Sequence, residues 1–365
     1  MPTLSSNVSR TSFHALRVQS ISPETSEAVV VTLDVPENLR ETFEFIQGQY
    51  LTLRQTIDGQ DLRRSYSICA GVDEGKLRVG VRHVPGGVFS TWMNQSLRVG
   101  DTLQVMPPQG RFYAPLEPTQ SRHHVGIAGG SGITPVLSIL RTVLAREPRS
   151  RCTLIYGNRQ LRSTMFKEAL EDLKNQYLQR LALHYVFADE PTDVDLCSGV
   201  LNREKIAAFL ATVVPADSID AVYVCGPYQM NDEAEWALRE AGVAQERIYI
   251  ERFGVAPTSV SAQREKAPRA VNAAQVVLVR DGMRHVLDYS AEQASVLDCA
   301  SAAGLDVPFS CTSGVCGTCR AKVIEGEMRM TRNFALSDAE VAAGFVLACQ
   351  AQPISARVVL SYDER

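Results

Sequence analysis

The chain has 365 residues, a formal net charge of −4 at pH 7 and 45% hydrophobic residues, which is ordinary globular composition. It is too long for one ordinary domain, so two or three domains are expected. The acidic balance argues against a nucleic-acid partner, and no apolar run approaches the roughly 20 residues that span a bilayer. Nine cysteines and an N-terminal segment without an apolar signal core predict a cytoplasmic location, where disulfides are rare.

Residues 13–116 are predicted to form a small antiparallel β-barrel. Short strand patterns rich in Val, Leu and Thr are separated by turn signals, such as Asp58–Gly59 and Glu74–Gly75. The strand patterns are ALRVQSI, AVVVTLDV, QYLTLRQTI, KLRVGVRHV and TLQVMPP. We interpret the residues before Phe13 as a frayed N-terminus.

In residues 117–253 the predicted elements change, because strand patterns now alternate with helical stretches. This alternation predicts a parallel α/β sheet with helices on both faces. Ser163 and Asn202 are predicted to be helix N-caps, since their side chains can accept a hydrogen bond from the first helical turn.

The first strand of this α/β region runs into a glycine-rich turn, VGIAGGSGITPVLSIL. Gly129, Gly130 and Gly132 allow close backbone approach, and Thr134 is predicted to cap the next helix, with Pro135 in its first turn. A helix N-terminus behind such a turn attracts the pyrophosphate of a dinucleotide. A tight strand–helix turn without a ligand is the alternative.

Residues 254–271 have no apolar periodicity and contain Pro, Ser and charged residues, so they are predicted to be a linker. A third domain is predicted over 272–365. It begins with a hairpin that turns at Asp281–Gly282.

Four cysteines of the third domain have the spacing Cys311-x4-Cys316-x2-Cys319, with Cys349 following after 29 residues. This spacing matches the plant-type [2Fe–2S] pattern. A binuclear cluster needs four thiolates, and three of them can come from one loop wrapped around it.

The composition of that loop supports the cluster interpretation. Gly314 and Gly317 allow sharp turns that point amide N–H groups at sulfur, and small hydroxyl side chains can add hydrogen bonds. A structural zinc site would more often show two C-x2-C pairs, and a redox dithiol would not need four cysteines. Inert cysteines are the remaining alternative.

The segment RRSYSI in the barrel region resembles the R-x-Y-S flavin signature of the ferredoxin–NADP reductase superfamily. The resemblance implies that Arg64 pairs with the FAD pyrophosphate, Tyr66 stacks on the isoalloxazine ring and Ser67 bonds near its reactive nitrogen. The chemistry fits, because a guanidinium suits a diphosphate and a flat ring suits a flat ring. An ordinary strand with an alternating Tyr is the alternative.

Two segments after this signature supply further flavin contacts in the same family. The Gly-Gly turn of GGVFS can wrap a phosphate with its amides. The resemblance assigns the following additional cofactor contacts: Arg82, His83, Val84, Gly87, Val88 and Ser90.

The family also places functional residues at two later strand ends. The tripeptide Cys225–Gly226–Pro227 matches its nicotinamide-facing loop, and IERF matches residues that cover the far side of the flavin. A core Phe253 and a surface Glu251 are the alternative for IERF. The candidate catalytic residues are therefore Tyr66, Ser67, Cys225, Glu251 and Phe253.

The loop NRQLRS, after the second parallel strand, faces the adenosine ribose in this architecture. It has no acidic residue, and an arginine there accommodates the 2′-phosphate of NADP. Arg159 therefore predicts NADPH as the electron donor, with NADH as the alternative.

Most of the chain resembles the reductase subunits of phenylacetyl-CoA epoxidase systems, through GGSGITP, TLIYGNR and LSDAEVAAGFVLACQAQP. One departure is Gln47, where the superfamily usually has proline. The resemblance implies an α+β ferredoxin domain of the β-grasp type and an electron path from NADPH through FAD and the [2Fe–2S] cluster to a diiron oxygenase. Alternatives are a reductase for a Rieske-type aromatic or steroid hydroxylase, and a redox-sensing module that is not an enzyme.

Overall fold

The computed structural model describes residues 12–254 and 271–364. Its contacts divide the chain into two compact units, one of which is Phe13–Phe253 while the other contains Gly254–Arg365. Most of the predicted linker and the N-terminal residues lie outside the described ranges. In the described part of the chain, no helix combines the length and the apolar character that crossing a membrane requires.

The first part of Phe13–Phe253 is a six-stranded antiparallel sheet in the order β4-β3-β6-β1-β2-β5. Its strands are β1 (His14–Thr25), β2 (Ala28–Asp34), β3 (Tyr50–Ile57), β4 (Gln60–Ser67), β5 (Leu77–Arg82) and β6 (Thr102–Val105), with helix α1 (Val88–Gln95) before β6. A bridge between Ile68 and Val79 joins the two edge strands. The sheet therefore closes into the predicted barrel around an apolar core.

The β3–β4 hairpin shows how local sequence sets this fold. Asp58 and Gly59 both have positive φ, 49° and 76°, as a two-residue type I′ turn requires. Glycine adopts this conformation without steric cost and aspartate tolerates it. The turn fixes the register that sets Tyr66 opposite Leu51 and Ser67 opposite Tyr50.

The second part of this unit is a five-stranded parallel sheet in the order β11-β10-β7-β8-β9. Its elements are β7 (His123–Gly129), α2 (Ile133–Arg146), β8 (Arg151–Asn158), α3 (Lys167–Gln176), β9 (Leu181–Phe187), α4 (Arg203–Thr212), β10 (Ala221–Gly226), α5 (Tyr228–Glu240) and β11 (Ile248–Arg252). Helices α2 and α3 pack on one face and α4 and α5 on the other, as the alternating pattern predicted.

The predicted caps of two helices have different outcomes. Asn202 caps α4 by accepting a hydrogen bond from the Lys205 N–H at 3.0 Å, as predicted. The prediction that Thr134 caps α2 is wrong, because a 3₁₀ turn over Gly130–Gly132 leads directly into the helix. Thr134 is the second helical residue, and its hydroxyl donates to the Ser131 carbonyl at 3.0 Å.

Ser163 is also not an N-cap. It lies in a separate 3₁₀ turn, and α3 begins later, after Phe166, whose φ is 58°. The Phe166 N–H is bound instead by the Glu24 carboxylate of the barrel at 2.5 Å. A side chain distant in sequence therefore satisfies the first turn of this helix.

The barrel and the parallel sheet share a seam that is held by polar contacts. Arg141 and Arg146 of α2 bind Glu74 and Asp73 of the barrel at 2.6 and 2.7 Å. The buried Gln47 donates through Nε2 to the Ala114 carbonyl at 3.2 Å. Gln47, the departure from the superfamily proline, thus fastens the segment that connects the two sheets.

The buried carboxylate of Glu147 also binds the segment between β6 and β7, through Glu117 and Arg122. Glu147, whose side chain is fully buried, contacts Arg122 and His124 and accepts from the Glu117 N–H at 2.9 Å and from Ser150 Oγ at 2.7 Å. These hydrogen bonds outweigh burial and lower the pKa of Glu147 to about 2. The carboxylate is therefore ionised across the physiological pH range.

The second unit contains a mixed five-stranded sheet in the order β13-β12-β18-β14-β16 and a two-stranded sheet of β15 and β17. Its elements are β12 (Ala273–Arg280), β13 (Met283–Ser290), α6 (Val296–Ala302), β14 (Arg320–Glu325), β15 (Met328–Met330), α7 (Asp338–Ala342), β16 (Phe345–Leu347), β17 (Ala351–Pro353) and β18 (Arg357–Ser361). The hairpin turns at Asp281–Gly282, as predicted, with φ of 51° and 73°. Helix α6 packs on the sheet over one apolar core, which gives the α+β arrangement expected of this domain.

Candidate functional site

Three predicted catalytic residues meet at the seam between the barrel and the parallel sheet. Ser67 ends β4, Cys225 lies near the end of β10, and Glu251 lies beside Cys225 in the register of β10 with β11. The Ser67 hydroxyl donates to Glu251 Oε2 at 2.9 Å, although the two residues are 184 positions apart. Phe253 follows two residues later and has 47% of its surface exposed.

Burial controls the ionisation of this group. It raises the pKa of Glu251 to about 7, while the hydrogen bond from Ser67 acts in the opposite direction. Burial also raises the pKa of the Cys225 thiol, and the nearby Glu251 carboxylate adds to that rise. Glu251 can therefore hold or release a proton near neutral pH, whereas Cys225 stays protonated.

Asn231 supports this arrangement, and the sequence analysis did not identify it. It is fully buried on α5, and its Nδ2 donates to the Glu251 carbonyl at 3.1 Å. The bond fixes the backbone of β11 at the carboxylate. An Asn on the buried face of a helix is unusual enough to have been a signal.

The flavin-signature residues lie on successive positions of β4. Tyr66 is partly buried, and its ring centroid lies 6.0 Å from that of Phe89 on α1. Arg64 is exposed, and its guanidinium donates to the Arg63 carbonyl at 2.7 Å. Tyr66 thus offers an anchored aromatic surface beside an accessible cation.

The Gly-Gly turn leads into the N-terminus of α1. Ser90 Oγ accepts from the Val84 N–H and donates to the Gly87 carbonyl, both at 3.1 Å, so its hydroxyl organises the turn itself. His83 shares a hydrogen bond of 3.1 Å with Thr91. The remaining predicted contacts on this segment are exposed: Arg82, Val84 and Val88.

The glycine-rich turn after β7 packs backbone to backbone against the end of β10. A Cβ added to Gly132 would lie 2.0 Å from the Cys225 carbonyl oxygen, and one added to Gly129 would lie 2.7 Å from Pro227. Gly130 has a φ of 52° and open space around it. Glycine is therefore required at positions 129 and 132 for this close contact between the turn and the end of β10.

Arg159 lies where the sequence predicted, directly after β8, but it has an unexpected neighbour. Its Nε lies 3.2 Å from Asp189 Oδ2, and its side chain is 84% exposed. Glu190 accepts from the Leu161 N–H at 2.7 Å. The loop itself has no acidic residue, yet the next loop brings two carboxylates to it.

The four cluster cysteines converge, although one of them comes from a distant segment. The Cys311 thiol lies within hydrogen-bonding reach of Cys316 and Cys349, and Cys349 lies within reach of Cys319. Donation by its two neighbours lowers the pKa of Cys311. Four converging thiols are the donor set that a [2Fe–2S] cluster requires.

The cluster loop shows the sharp glycine turns that were predicted. Gly314 and Gly317 have φ of 83° and 69°. Gln350 was not predicted: its Nε2 donates to the Thr312 carbonyl at 2.9 Å and lies 3.6 Å from the Cys349 sulfur. Its position directly after Cys349 is the signal that would have identified it.

Comparison with known proteins finds three matched domain families along the chain. Residues 15–113 match the oxidoreductase FAD-binding domain, residues 127–235 the oxidoreductase NAD-binding domain, and residues 279–353 the 2Fe-2S iron-sulfur cluster binding domain. The chain is 42% identical over 360 residues to one of the subunits of the 1,2-phenylacetyl-CoA epoxidase of Escherichia coli, covering 97% of this chain and 99% of the relative. The chain belongs to this family of oxygenase reductases.

Further relatives place the reductase among electron-transfer components. It is 31% identical to the ferredoxin reductase component of 3-ketosteroid-9-alpha-monooxygenase from Rhodococcus rhodochrous, over 95% of this chain and 96% of the relative. The structure of phthalate dioxygenase reductase matches with a TM-score of 0.59 and 25% identity, covering 96% of this chain and 98% of that chain.

These findings confirm the predicted class of the reductase. It is an NAD(P)H-dependent oxidoreductase with FAD-binding, NAD-binding and [2Fe–2S] domains, and it transfers electrons. The alternative of a redox-sensing module that is not an enzyme is set aside. The cysteine loop lies inside the matched iron–sulfur domain, so the zinc, dithiol and inert-cysteine alternatives are set aside as well.

Proposed function

We propose that the reductase takes a hydride from NADPH and delivers its two electrons one at a time to an oxygenase, with the phenylacetyl-CoA epoxidase as the acceptor. FAD, when bound, would supply the two-electron acceptor, and the [2Fe–2S] cluster the one-electron carrier. The residues of the chain itself bind the cofactors, orient them and hold or release a proton. The meeting of Ser67, Cys225 and Glu251 at the seam is the observation that carries the proposal.

Five of the predicted site residues would hold and serve the flavin: Arg64, Tyr66, Ser67, Glu251 and Phe253. Glu251, hydrogen-bonded to Ser67, has a pKa of about 7 and can accept the proton that is left when the two electrons of a hydride have been passed on. Tyr66 orients the ring from one side, and Phe253, partly exposed after Glu251, is positioned to cover the other. Arg64 and the first amides of α1 neutralise the FAD pyrophosphate.

The nicotinamide cofactor is held by the second set of predicted residues. The open backbone at Gly130 would admit the pyrophosphate, while Gly129 and Gly132 let the turn pack against the end of β10. The Cys225–Gly226–Pro227 turn would face the nicotinamide. Thr134 supports the turn through Ser131 rather than by capping the helix.

Arg159 favours NADPH as the donor. An exposed guanidinium can leave Asp189 and bind the 2′-phosphate in a charge-assisted pair. Asp189 competes for the same guanidinium, so the preference is expected to be modest. NADH stays the alternative donor.

Reconstitution with purified oxygenases tests the acceptor. With NADPH in excess, the reductase is expected to support turnover of a phenylacetyl-CoA epoxidase more efficiently than turnover of a ketosteroid monooxygenase, which is the acceptor named for the 31%-identical relative. The matched control is the 42%-identical Escherichia coli relative in the same assays. Equal support of both oxygenases would refute the epoxidase assignment and leave the oxidoreductase class intact.

We also propose the domain boundaries and the cellular location of the reductase. The boundaries 13–116, 117–253, 254–271 and 272–365 are supported by family matches that fall inside the three predicted domains. A reducing, cytoplasmic location is supported by nine cysteines without a disulfide between them.

A further inference from the structure

Tyr362, directly after β18, is buried with an unpartnered hydroxyl. Only 3% of its surface is exposed. Its backbone N–H donates to the Val279 carbonyl at 2.9 Å, but its hydroxyl has no hydrogen-bond partner among the described residues. A buried hydroxyl without a hydrogen-bond partner is destabilising, so it needs an explanation.

Strand register places the Tyr362 side chain on the cluster side of the sheet. Val323 pairs with Leu360 and Lys322 with Ser361, so continuing the antiparallel register sets Tyr362 opposite Ala321. Cys319 lies two residues before Ala321, in the turn that leads into β14. All three side chains lie in the same apolar core.

The charged groups around the hydroxyl agree with this placement. The nearby Cys319 and Cys349 raise the pKa of Tyr362 together with burial, while Arg280 acts in the opposite direction. Cys319 and Cys349 also belong to the same apolar core as Tyr362, so two of the four cluster ligands share the surroundings of its ring. Tyr289, a second buried tyrosine in this core, differs because its hydroxyl donates to the Gln293 carbonyl at 3.0 Å.

We propose that the Tyr362 hydroxyl donates a hydrogen bond to a sulfur of the [2Fe–2S] cluster on the side of Cys319 and Cys349. Cluster sulfur is an acceptor rich in negative charge, and it supplies the partner that the protein does not. Tyr362 then acts as a positioning and tuning residue. The inference depends on the cluster-binding domain and not on the identity of the acceptor.

The hydrogen bond has a defined effect on electron affinity. Reduction adds one negative charge to the cluster, so a donor to its sulfur stabilises the reduced form more than the oxidised form and raises the potential. Tyr362→Phe removes the donor and keeps the ring. We expect the ratio of reduced to oxidised cluster, at the wild-type midpoint potential, to fall about tenfold, which corresponds to 59 mV for a one-electron couple.

The experiment is a redox titration of the full-length, cluster-loaded protein, followed by the electron paramagnetic resonance of the reduced cluster. The matched control is Tyr289→Phe, which removes a buried hydroxyl from the same core and leaves the Gln293 carbonyl unpaired. A lower potential in Tyr362→Phe alone supports the proposal. An unchanged potential in Tyr362→Phe, or equal shifts in both variants, overturns it.

A second measurement covers the case in which Tyr362→Phe loses its cluster during purification. Thermal unfolding of the cluster-free chain then decides. If the variant without cluster is as stable as the wild type without cluster, the hydroxyl acts through the cluster and the proposal stands. If the cluster-free variant is itself destabilised, the hydroxyl serves the protein core and the proposal is wrong.

Discussion

Ser67 of the barrel donates its hydroxyl to Glu251 of the parallel sheet at 2.9 Å. The two residues come from different sheets and are joined only because the seam brings β4 and β11 together. A carboxyl group with a pKa of about 7 therefore lies where the flavin-binding and nicotinamide-binding regions meet. Glu251 therefore contributes both to the contact between the two sheets and to the candidate functional site.

Glu251→Gln should change the pH dependence of stability. The folded pKa of about 7 lies above the ordinary value of 4.5, so folding takes up a proton between these pH values. The stabilising contribution is complete below pH 4.5 and is lost as the pH rises through 7. We expect the wild type to lose about 2 kcal/mol between pH 5 and 8 relative to Glu251→Gln. Thermal unfolding of both proteins across this range measures the difference, and parallel pH curves would contradict it.

Glu147→Gln should show the opposite pH behaviour. The folded pKa of about 2 lies below the ordinary value of 4.5, so the carboxylate stabilises the fold above pH 4.5 and loses this effect as the pH falls towards 2. At pH 7 the substitution leaves Arg122 and His124 without their anion, at a cost of about 3 kcal/mol. Denaturant unfolding at pH 7 and pH 3 tests this, and a cost that does not shrink at pH 3 would count against it.

Cys316→Ser should separate the two halves of electron transfer. The flavin and nicotinamide residues lie within Phe13–Phe253, whereas all four cluster cysteines lie in the other unit. NADPH-driven bleaching of the flavin should therefore continue at a near wild-type rate, while delivery to the oxygenase is abolished. Stopped-flow absorbance and oxygenase turnover measure the two steps. Collapse of flavin reduction in the variant would disprove this modular behaviour.

Tyr66→Ala should weaken FAD retention. The substitution removes a stacking ring that contributes roughly 1–1.5 kcal/mol, about a tenfold change in the dissociation constant. Tyr66→Phe, which keeps the ring, is the matched control and should retain FAD. Fluorescence of released flavin on serial dilution gives the result. If the Ala variant holds FAD as firmly as the control, Tyr66 does not stack on the flavin.

The Arg159–Asp189 pair should set the preference between NADPH and NADH. Arg159→Ala is expected to lower kcat/KM for NADPH about tenfold with little effect on NADH, since a charge-assisted pair with the 2′-phosphate is lost at an exposed site. Asp189→Asn should raise the preference for NADPH, because it removes the competing carboxylate. Steady-state kinetics with both donors test the pair. A preference that neither substitution moves would exclude this loop from donor selection.

Local chemistry explains why much of the fold was predictable. The Asp–Gly turns at 58–59 and 281–282 need only two residues with positive φ, and Asn202 needs only its own side chain to cap α4. The caps at Thr134 and Ser163 failed for a different reason. The start of α2 depends on a 3₁₀ turn and that of α3 on Glu24, so tertiary contacts overrode the local pattern.

The candidate site was also predictable only where local sequence determines it. Four cysteines at a recognisable spacing identify their own chemistry, because one loop supplies three ligands. Asp189 reaches the site from another loop, and neither spacing nor motif marks it. Asn231 and Gln350 do leave a trace in the sequence, but their partners become evident only through contacts between elements. The orphaned hydroxyl of Tyr362 is visible only once the core is assembled.

The uneven burial of the cysteines has a practical consequence for attaching reporters. Cys69, Cys152, Cys225 and Cys299 are at most 2% exposed, and the four cluster cysteines are occupied when the cluster is bound. Cys197 is the ninth cysteine, and it is only partly buried. A maleimide dye or an electrode linker should therefore modify a single position of the native protein, at a distance in sequence from the flavin signature and the cluster loop, without a cysteine-free background having to be engineered.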